Sequence, residues 1–207
     1  MQLVRLLRPF DKRRAKQTPF ADMFTPYQGD EIVSLDCETT SLDPKSAEII
    51  TLAAVKICQQ KVMMSQKLSI KIQPKTPINA DSIPVHHIRN QDIEGAMSIE
   101  QALPLILNFI GNRPILGYFI KFDLAVLSRY TEQAYGFHLP NRPIELCHVY
   151  YKKVNTYYPD AWLDHKFETL ATTLDIPILG RHTAMGDAIT VALMYLQLNY
   201  GKRPSLL

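Results

Sequence analysis

Four carboxylates and one histidine supply the residue types that metal-assisted hydrolysis requires. Each of them stands beside an apolar segment, and together they are spread over most of the chain. A set of carboxylate oxygens suits hard divalent cations such as Mg²⁺ or Mn²⁺. Because histidine can act as a general base beside such ions, the set predicts hydrolysis of a phosphodiester. The five residues are Asp36, Glu38, Asp123, His182 and Asp187.

The residues before Asp36 distinguish the first two carboxylates from a chance match. About 0.5 matches to an Asp-x-Glu pattern arise by chance in a chain of this composition, and a second match lies at Asp92 and Glu94. That second match stands in a polar segment, whereas the first closes the apolar run 32–35. Since side chains alternate across a strand, Asp36 and Glu38 share one face, where both can bind one metal ion.

The elements that must position these residues alternate between strands and helices. Strands early in the chain, followed by mixed strands and helices, predict a mixed sheet with helices on its faces, an α/β domain. The carboxyl ends of such strands collect ligands, so the carboxylates are expected at one rim, with His182 on the loop before the last helix. The expected strands are 32–36, 49–57, 62–72, 114–118 and 144–149; the expected helices are 99–110, 122–135, 166–174 and 186–198; the expected loops are 74–92 and 152–164.

Composition describes one globular domain of ordinary size. The 207 residues are 46% hydrophobic and 21% charged, which excludes a disordered chain. No apolar run reaches the roughly 18 residues of a membrane span, and no secretory signal precedes the first strand, so we expect a cytoplasmic protein that does not enter a membrane. The three cysteines are an odd number without paired spacing, which predicts free thiols and argues against a disulfide framework or a zinc site.

The charge is concentrated at the N-terminus. Six basic residues and one acid in the first 16 residues precede a slightly acidic remainder, although the net charge is only +3. Such a distribution favours a nucleic-acid partner, and a solvated tail without a role is the alternative. We therefore divide the chain into a basic N-terminal arm (1–28), interrupted by prolines, a catalytic domain (29–200) and a short C-terminal tail (201–207).

Four segments, considered together and in order, resemble the motifs of the DEDDh, or DnaQ-like, 3′→5′ exonucleases. This family includes proofreading subunits of DNA polymerases, RNase T and oligoribonuclease. The resemblance covers about residues 30 to 198. The matching segments are Ile32–Thr40 with Asp36 and Glu38, Val85–Ile88 as a Val-His-Gly-Ile-like loop, Phe122-Asp123, and Lys166–Ala171 followed by His182 and Asp187.

The resemblance implies an RNase H-like fold: a mixed five-stranded sheet with helices on both faces. It also implies a metal-dependent 3′→5′ exonuclease in which Asp36, Glu38, Asp123 and Asp187 hold two Mg²⁺ or Mn²⁺ ions, with Asp36 bridging them. In that scheme His182 accepts a proton from the attacking water. The expected partners are the single-stranded 3′ end of a nucleic acid, DNA first and RNA as the alternative, and a DNA polymerase or repair protein.

The same resemblance assigns Thr39, Leu42 and His86 to contacts with the terminal nucleotide. The chain departs from the family at Tyr118 and Phe119, where the family has His-Asn. An aromatic ring at that strand end can stack on a base, so Tyr118 is added as a substrate-binding residue, although core packing of either ring is the alternative. Two other functional classes stay open: a non-catalytic nucleic-acid-binding protein on the same fold, and a phosphodiesterase or phosphatase for small nucleotides.

Overall fold

The computed structural model places one sheet between two groups of helices. It describes residues 2–78 and 87–205, with the backbone alone for residues 2–7. The strands are β1 (Ile32–Thr39), β2 (Ile49–Cys58), β3 (Lys61–Lys71), β4 (Ile115–Gly117) and β5 (Pro143–Glu145). The α-helices of the described residues are α1 (Gln2–Ala15), α2 (Ile99–Ile110), α3 (Lys121–Tyr135), α4 (Leu146–Tyr157), α5 (Phe167–Thr173) and α6 (Ala184–Tyr200). Short 3₁₀ helices lie at Ala21–Phe24 and Asn90–Asp92.

The strands form a mixed sheet in the order β3-β2-β1-β4-β5. β1 is central, antiparallel to β2 and parallel to β4, and β5 continues the parallel half. β2 and β3 form an antiparallel hairpin. Its two turn residues, Gln59 and Gln60, both have a left-handed backbone, which matches the twist of the paired strands. The predicted five-stranded mixed sheet is confirmed.

The alternation of side chains along β1 divides the core into two layers. Val33 and Leu35 are buried in a cluster that contains apolar residues of α2 and α3. Ser34 points to the opposite face, where its hydroxyl donates to the backbone oxygen of Ala188 in α6 over 2.7 Å. The helices α4, α5 and α6 contribute the second apolar cluster. Helices therefore cover both faces of the sheet, as predicted.

The prediction of a strand over residues 144–149 and of a loop over 152–164 was wrong in part. The strand ends at Glu145, and α4 begins at Leu146 and continues to Tyr157. A short apolar run fits a buried strand or a buried helix equally well. The buried positions of α4, which are Leu146, Cys147, Tyr150 and Val154, have the spacing of one helical face against the second apolar cluster. Packing on that face decides for the helix.

The basic N-terminal segment folds back onto the catalytic body. α1 passes through Pro9, which was expected to interrupt it. The Arg8 guanidinium donates to the backbone oxygen of Pro140 over 3.1 Å, and the Arg14 guanidinium donates to that of Gly136 over 3.1 Å. Ala15 is fully buried at the end of the helix. These tertiary contacts hold the helix in spite of its internal proline.

Two expectations from composition concern membrane spans and thiols. In the described part of the chain, no helix combines the length and the apolar content needed to cross a membrane. All three thiols are free, which confirms the prediction: Cys147 is buried, and Cys37 and Cys58 are partly exposed.

Candidate active site

The central strand and the last helix bring three acidic side chains together. Asp36 and Glu38 lie two residues apart on β1 and pair with Ala53 and Thr51 of β2, so both project from one face. Asp187 lies in the first turn of α6, which packs on that face. One carboxylate oxygen of each residue lies within 4.8 Å of those of the other two. This spacing suits joint coordination of a small cation by oxygen ligands.

The loop before α6 is shaped by a glycine whose importance was not visible in the sequence. Thr183 caps the helix by accepting a hydrogen bond from the backbone nitrogen of Gly186 over 3.2 Å. A Cβ atom at Gly186 would overlap the backbone oxygens of Leu179 and Gly180. Only glycine therefore allows this loop to cross so close to the first turn of the helix. The close crossing sets the position of the two residues between them, Arg181 and His182.

Asp187 is held by that loop and keeps one oxygen free. Its Oδ2 accepts hydrogen bonds from an Arg181 guanidinium nitrogen over 2.7 Å and from the backbone nitrogen of His182 over 3.2 Å. Its Oδ1 is buried and has no hydrogen-bond partner within the described residues. A buried carboxylate oxygen without a partner is costly unless a ligand satisfies it. The donor set and this orphaned oxygen therefore fit a hard divalent cation.

Arg181 holds Asp187 in the candidate site, and the motifs in the sequence did not single it out. Besides Asp187, it contacts Glu168 of α5, with 2.9 Å between Nε and Oε1. Its guanidinium also lies over the ring of Phe167, 4.2 Å from the centroid. An arginine directly before the histidine of the last motif was the only signal in the sequence. Its three contacts fix the side chain that in turn orients Asp187.

Asp123 approaches the cluster from the first turn of α3. It is 5% exposed and lies beside Cys37. Among the neighbouring charges, that of Asp123 contributes most to raising the pKa of Asp36. All four predicted carboxylates are therefore at one end of the sheet, three of them in one tight group and Asp123 beside Asp36.

Without a bound cation, burial and mutual repulsion disfavour the charged form of the carboxylates in this cluster. Burial, followed by the charge of Asp123, raises the pKa of Asp36 well above its usual range. Burial, followed by the charge of Asp187, raises the pKa of Glu38 to about 7, and burial raises that of Asp123 to about 7. Burial also raises the pKa of Asp187, although the charge of Arg181 opposes this. Mutual repulsion of this kind is relieved when a cation binds between the carboxylates.

His182 lies on the loop before α6, as predicted. Its backbone is left-handed, with φ of 61°, and its side chain is partly exposed. Within the described residues no hydrogen bond restrains its ring nitrogens, because the bond to Asp187 comes from the backbone. A loop position with an unrestrained imidazole leaves the ring able to approach a water molecule at the carboxylates.

The residues predicted to contact substrate differ in their surroundings. Thr39 ends β1 and donates its hydroxyl to the backbone oxygen of Ser41 over 2.8 Å, whereas Leu42 is 90% exposed. Tyr118 is partly buried, and its hydroxyl donates to the backbone oxygen of His165 over 2.9 Å. Its neighbour Phe119 is exposed. His86, with the preceding residue of its loop, lies outside the described residues.

Comparison with known proteins identifies the family. A family model described as an exonuclease, RNase_T, matches residues 33–195. The DNA polymerase III subunit epsilon of Aquifex aeolicus is 26% identical over 166 residues, which are 80% of this chain and 79% of that protein. A PolC-type DNA polymerase III of Thermotoga petrophila is 33% identical over 110 residues, which are 53% of this chain but only 8% of that polymerase.

Solved structures show the same fold at lower sequence identity. E. coli exonuclease I in complex with a dA16 oligonucleotide superimposes with a TM-score of 0.70 and 17% identity, over 84% of this chain and 41% of that one. Cell-death related nuclease 4 superimposes with a TM-score of 0.65 and 16% identity, over 82% of this chain and 64% of that one. The chain belongs to the DnaQ-like 3′→5′ exonuclease family, and its predicted RNase H-like fold is confirmed.

Proposed function

We propose that this exonuclease removes nucleoside 5′-monophosphates from the 3′ end of single-stranded DNA with the help of two divalent cations. The observation that carries the proposal is the acidic group of Asp36, Glu38 and Asp187, in which the buried Oδ1 of Asp187 has no partner among the described residues. With Asp123 beside them, the three carboxylates would hold Mg²⁺ or Mn²⁺. When bound, such ions supply Lewis acidity and neutralise charge on the scissile phosphate.

His182 is the proposed general base. One of its ring nitrogens takes a proton from the water that attacks the phosphorus atom. The bond between phosphorus and the 3′ oxygen of the penultimate nucleotide then breaks, and that oxygen leaves as the new 3′ hydroxyl once it is protonated. The products are a nucleoside 5′-monophosphate and a strand shorter by one nucleotide. Thr39 and Leu42, at the end of β1 and just after it, are proposed to contact the terminal nucleotide, together with His86.

DNA is the proposed polymer because the relatives are named as a DNA polymerase III subunit and a PolC-type DNA polymerase III, and the structural neighbours include complexes with oligodeoxynucleotides. The same names make a DNA polymerase or repair protein the proposed partner. The 2′-hydroxyl contact that separates RNA from DNA has no sequence motif, so RNA is the competing substrate. The basic helix α1, with the exposed Arg8 and Lys12, would add sequence-independent attraction for either polymer.

Digestion of matched 5′-labelled DNA and RNA strands tests the proposal. With Mg²⁺ or Mn²⁺ we expect a ladder of products shortened one nucleotide at a time from the 3′ end, with DNA degraded faster. Faster degradation of RNA would make the protein an exoribonuclease. Binding without any cleavage would favour the non-catalytic alternative, and cleavage of mononucleotide esters alone would favour the small-nucleotide phosphodiesterase.

A further inference from the structure

Phe119 presents a large apolar ring to solvent at the end of β4. The side chain is 57% exposed, and the backbone is left-handed with φ of 54°. Both features are unfavourable for a phenylalanine, since its Cβ crowds the backbone in this region and its ring gains nothing from water. Strain of this kind persists only where surrounding contacts hold the residue, and such positions cluster at functional sites.

Contacts on both sides of Phe119 hold its ring outward. Its backbone nitrogen donates to Oε1 of Glu145 at the end of β5 over 2.9 Å. Its backbone oxygen accepts from the nitrogen of Phe122 over 3.0 Å, at the start of α3. Its ring lies against that of Tyr118, with 4.4 Å between the centroids. The conformation is therefore fixed by the fold before any ligand arrives.

An unbroken series of contacts joins this ring to the carboxylate group. Tyr118 meets the ring of Phe167 edge to face, with centroids 5.2 Å apart. The guanidinium of Arg181 lies over the Phe167 ring and donates to Asp187. We name the three rings of Tyr118, Phe119 and Phe167 the aromatic ledge. The ledge begins at Phe167, against the guanidinium of Arg181, and ends in the exposed ring of Phe119.

The aromatic ledge suits the flat face of a nucleobase. Tyr118 is unavailable as a stacking surface on its own, because its hydroxyl is bonded to His165 and its ring is packed on both sides. Phe119 carries no hydrogen-bonding group, so it can stack on a base without reading its identity. Lys121, exposed two residues further along, adds a positive charge for the adjoining phosphates.

We propose that Phe119 stacks on one nucleobase of the single strand whose 3′ end lies at the carboxylates. This inference rests on the proposed exonuclease function and specifies how the strand is held. It makes Phe119 a binding residue without sequence preference. It also replaces Tyr118 by Phe119 as the stacking surface and leaves Tyr118 as its support.

The test uses Phe119→Asn, because asparagine tolerates the left-handed backbone and so should fold while the ring is lost. Phe119→Ala is the second variant that removes the ring. Phe119→Tyr keeps an aromatic ring and should keep the KM of the wild type. Tyr200→Ala is the matched control, since Tyr200 is 60% exposed at the end of α6. With Mg²⁺ and a single-stranded oligonucleotide we expect KM to rise roughly 5- to 100-fold in Phe119→Asn, with kcat nearly unchanged, as loss of one stacked base predicts.

Equilibrium binding separates this inference from the catalytic one. A set of oligonucleotides, each with one abasic site at a different position near the 3′ end, is titrated into the protein. The buffer contains Ca²⁺, which permits binding with poor turnover. For the wild type and Tyr200→Ala, one abasic position should weaken binding by the same factor as the loss of the Phe119 ring. Phe119→Asn should show no further loss at that position. If the abasic site weakened binding equally in the wild type and in Phe119→Asn at every position, the stacking role of Phe119 would be overturned, whether or not the enzyme cleaves. If the expected difference appeared but no cleavage occurred with Mg²⁺, the exonuclease mechanism alone would be overturned.

Discussion

Replacing Gly186 by alanine should displace the loop before α6, which carries the proposed base His182, without changing a proposed catalytic side chain. An alanine Cβ at this position would lie 1.8 Å from the backbone oxygen of Leu179 and 2.3 Å from that of Gly180. Since real Cβ contacts stay beyond about 3 Å, the loop or the first turn of α6 must move by at least about 1 Å. Arg181 and His182 belong to this loop, so both must move with it.

The expected change in the free energy of unfolding of Gly186→Ala is the balance between a gain in helix propensity and the costs of overpacking and of a disturbed cap. Alanine gains about 1 kcal/mol of helix propensity over glycine. Overpacking against two backbone oxygens costs about 1–3 kcal/mol, and the Thr183 cap, worth about 1 kcal/mol, is disturbed as well. The net expectation is a destabilisation of up to about 3 kcal/mol. A displacement of about 1 Å at His182 and Asp187 should lower kcat by roughly 10²-fold.

Urea denaturation and single-strand digestion measure the two effects in the same preparation. Gly95→Ala is the control, because it imposes a left-handed backbone on alanine, with φ of 74°, but no atom lies within 4 Å of the new Cβ. It should lose about 1 kcal/mol of stability and keep full activity. If Gly186→Ala folded and kept kcat within threefold of the wild type, Gly186 would not position His182 through this loop.

Other perturbations give sharper yes-or-no results. Asp123→Asn should abolish hydrolysis while the protein still melts cooperatively, whereas Asp92→Asn, in the chance match to the motif, should change the rate little; an active Asp123→Asn would remove that residue from the ligand set. His182→Ala should lower kcat by roughly 10²–10⁴ and flatten the acid limb of the pH–rate profile, and an unchanged limb would assign the base elsewhere. Without metal ions, the pKa of Glu38 is about 7 in the folded state against 4.5 for a free glutamate, so the folded state binds a proton more tightly than the unfolded state. Protonation of Glu38 therefore stabilises the fold fully below pH 4.5, and this stabilisation is lost as the pH rises through 7. Mg²⁺ should reverse the loss and therefore raise the melting temperature more at pH 8 than at pH 5; an equal rise at both pH values would contradict a cation site at these carboxylates.

Much of the fold could be predicted because its signals are local. The apolar run before Asp36 identified β1, and alternation along the strand placed Asp36 and Glu38 on one face. The helical spacing at Ile99–Ile110 and the stretch after Asp123 identified α2 and α3. The failures lay at residues 144–157, where a short apolar run was compatible with either periodicity and only burial against the second cluster selected the helix.

The sequence by itself determined the candidate ligands and base, and how residues close in the chain are arranged relative to one another. The two-residue repeat of a strand and the loop before α6 depend on adjacent residues alone. It also placed His182 ahead of its helix. Tertiary structure alone decided that Asp187 meets Asp36, because the distance between them is set by the packing of α6 on β1 through Ser34 and Ala188. It likewise decided the raised pKa values, the contacts of Arg181 and the exposure of Phe119. Burial and distance between residues far apart in the chain exist only once the layers have packed, and no local pattern contains them.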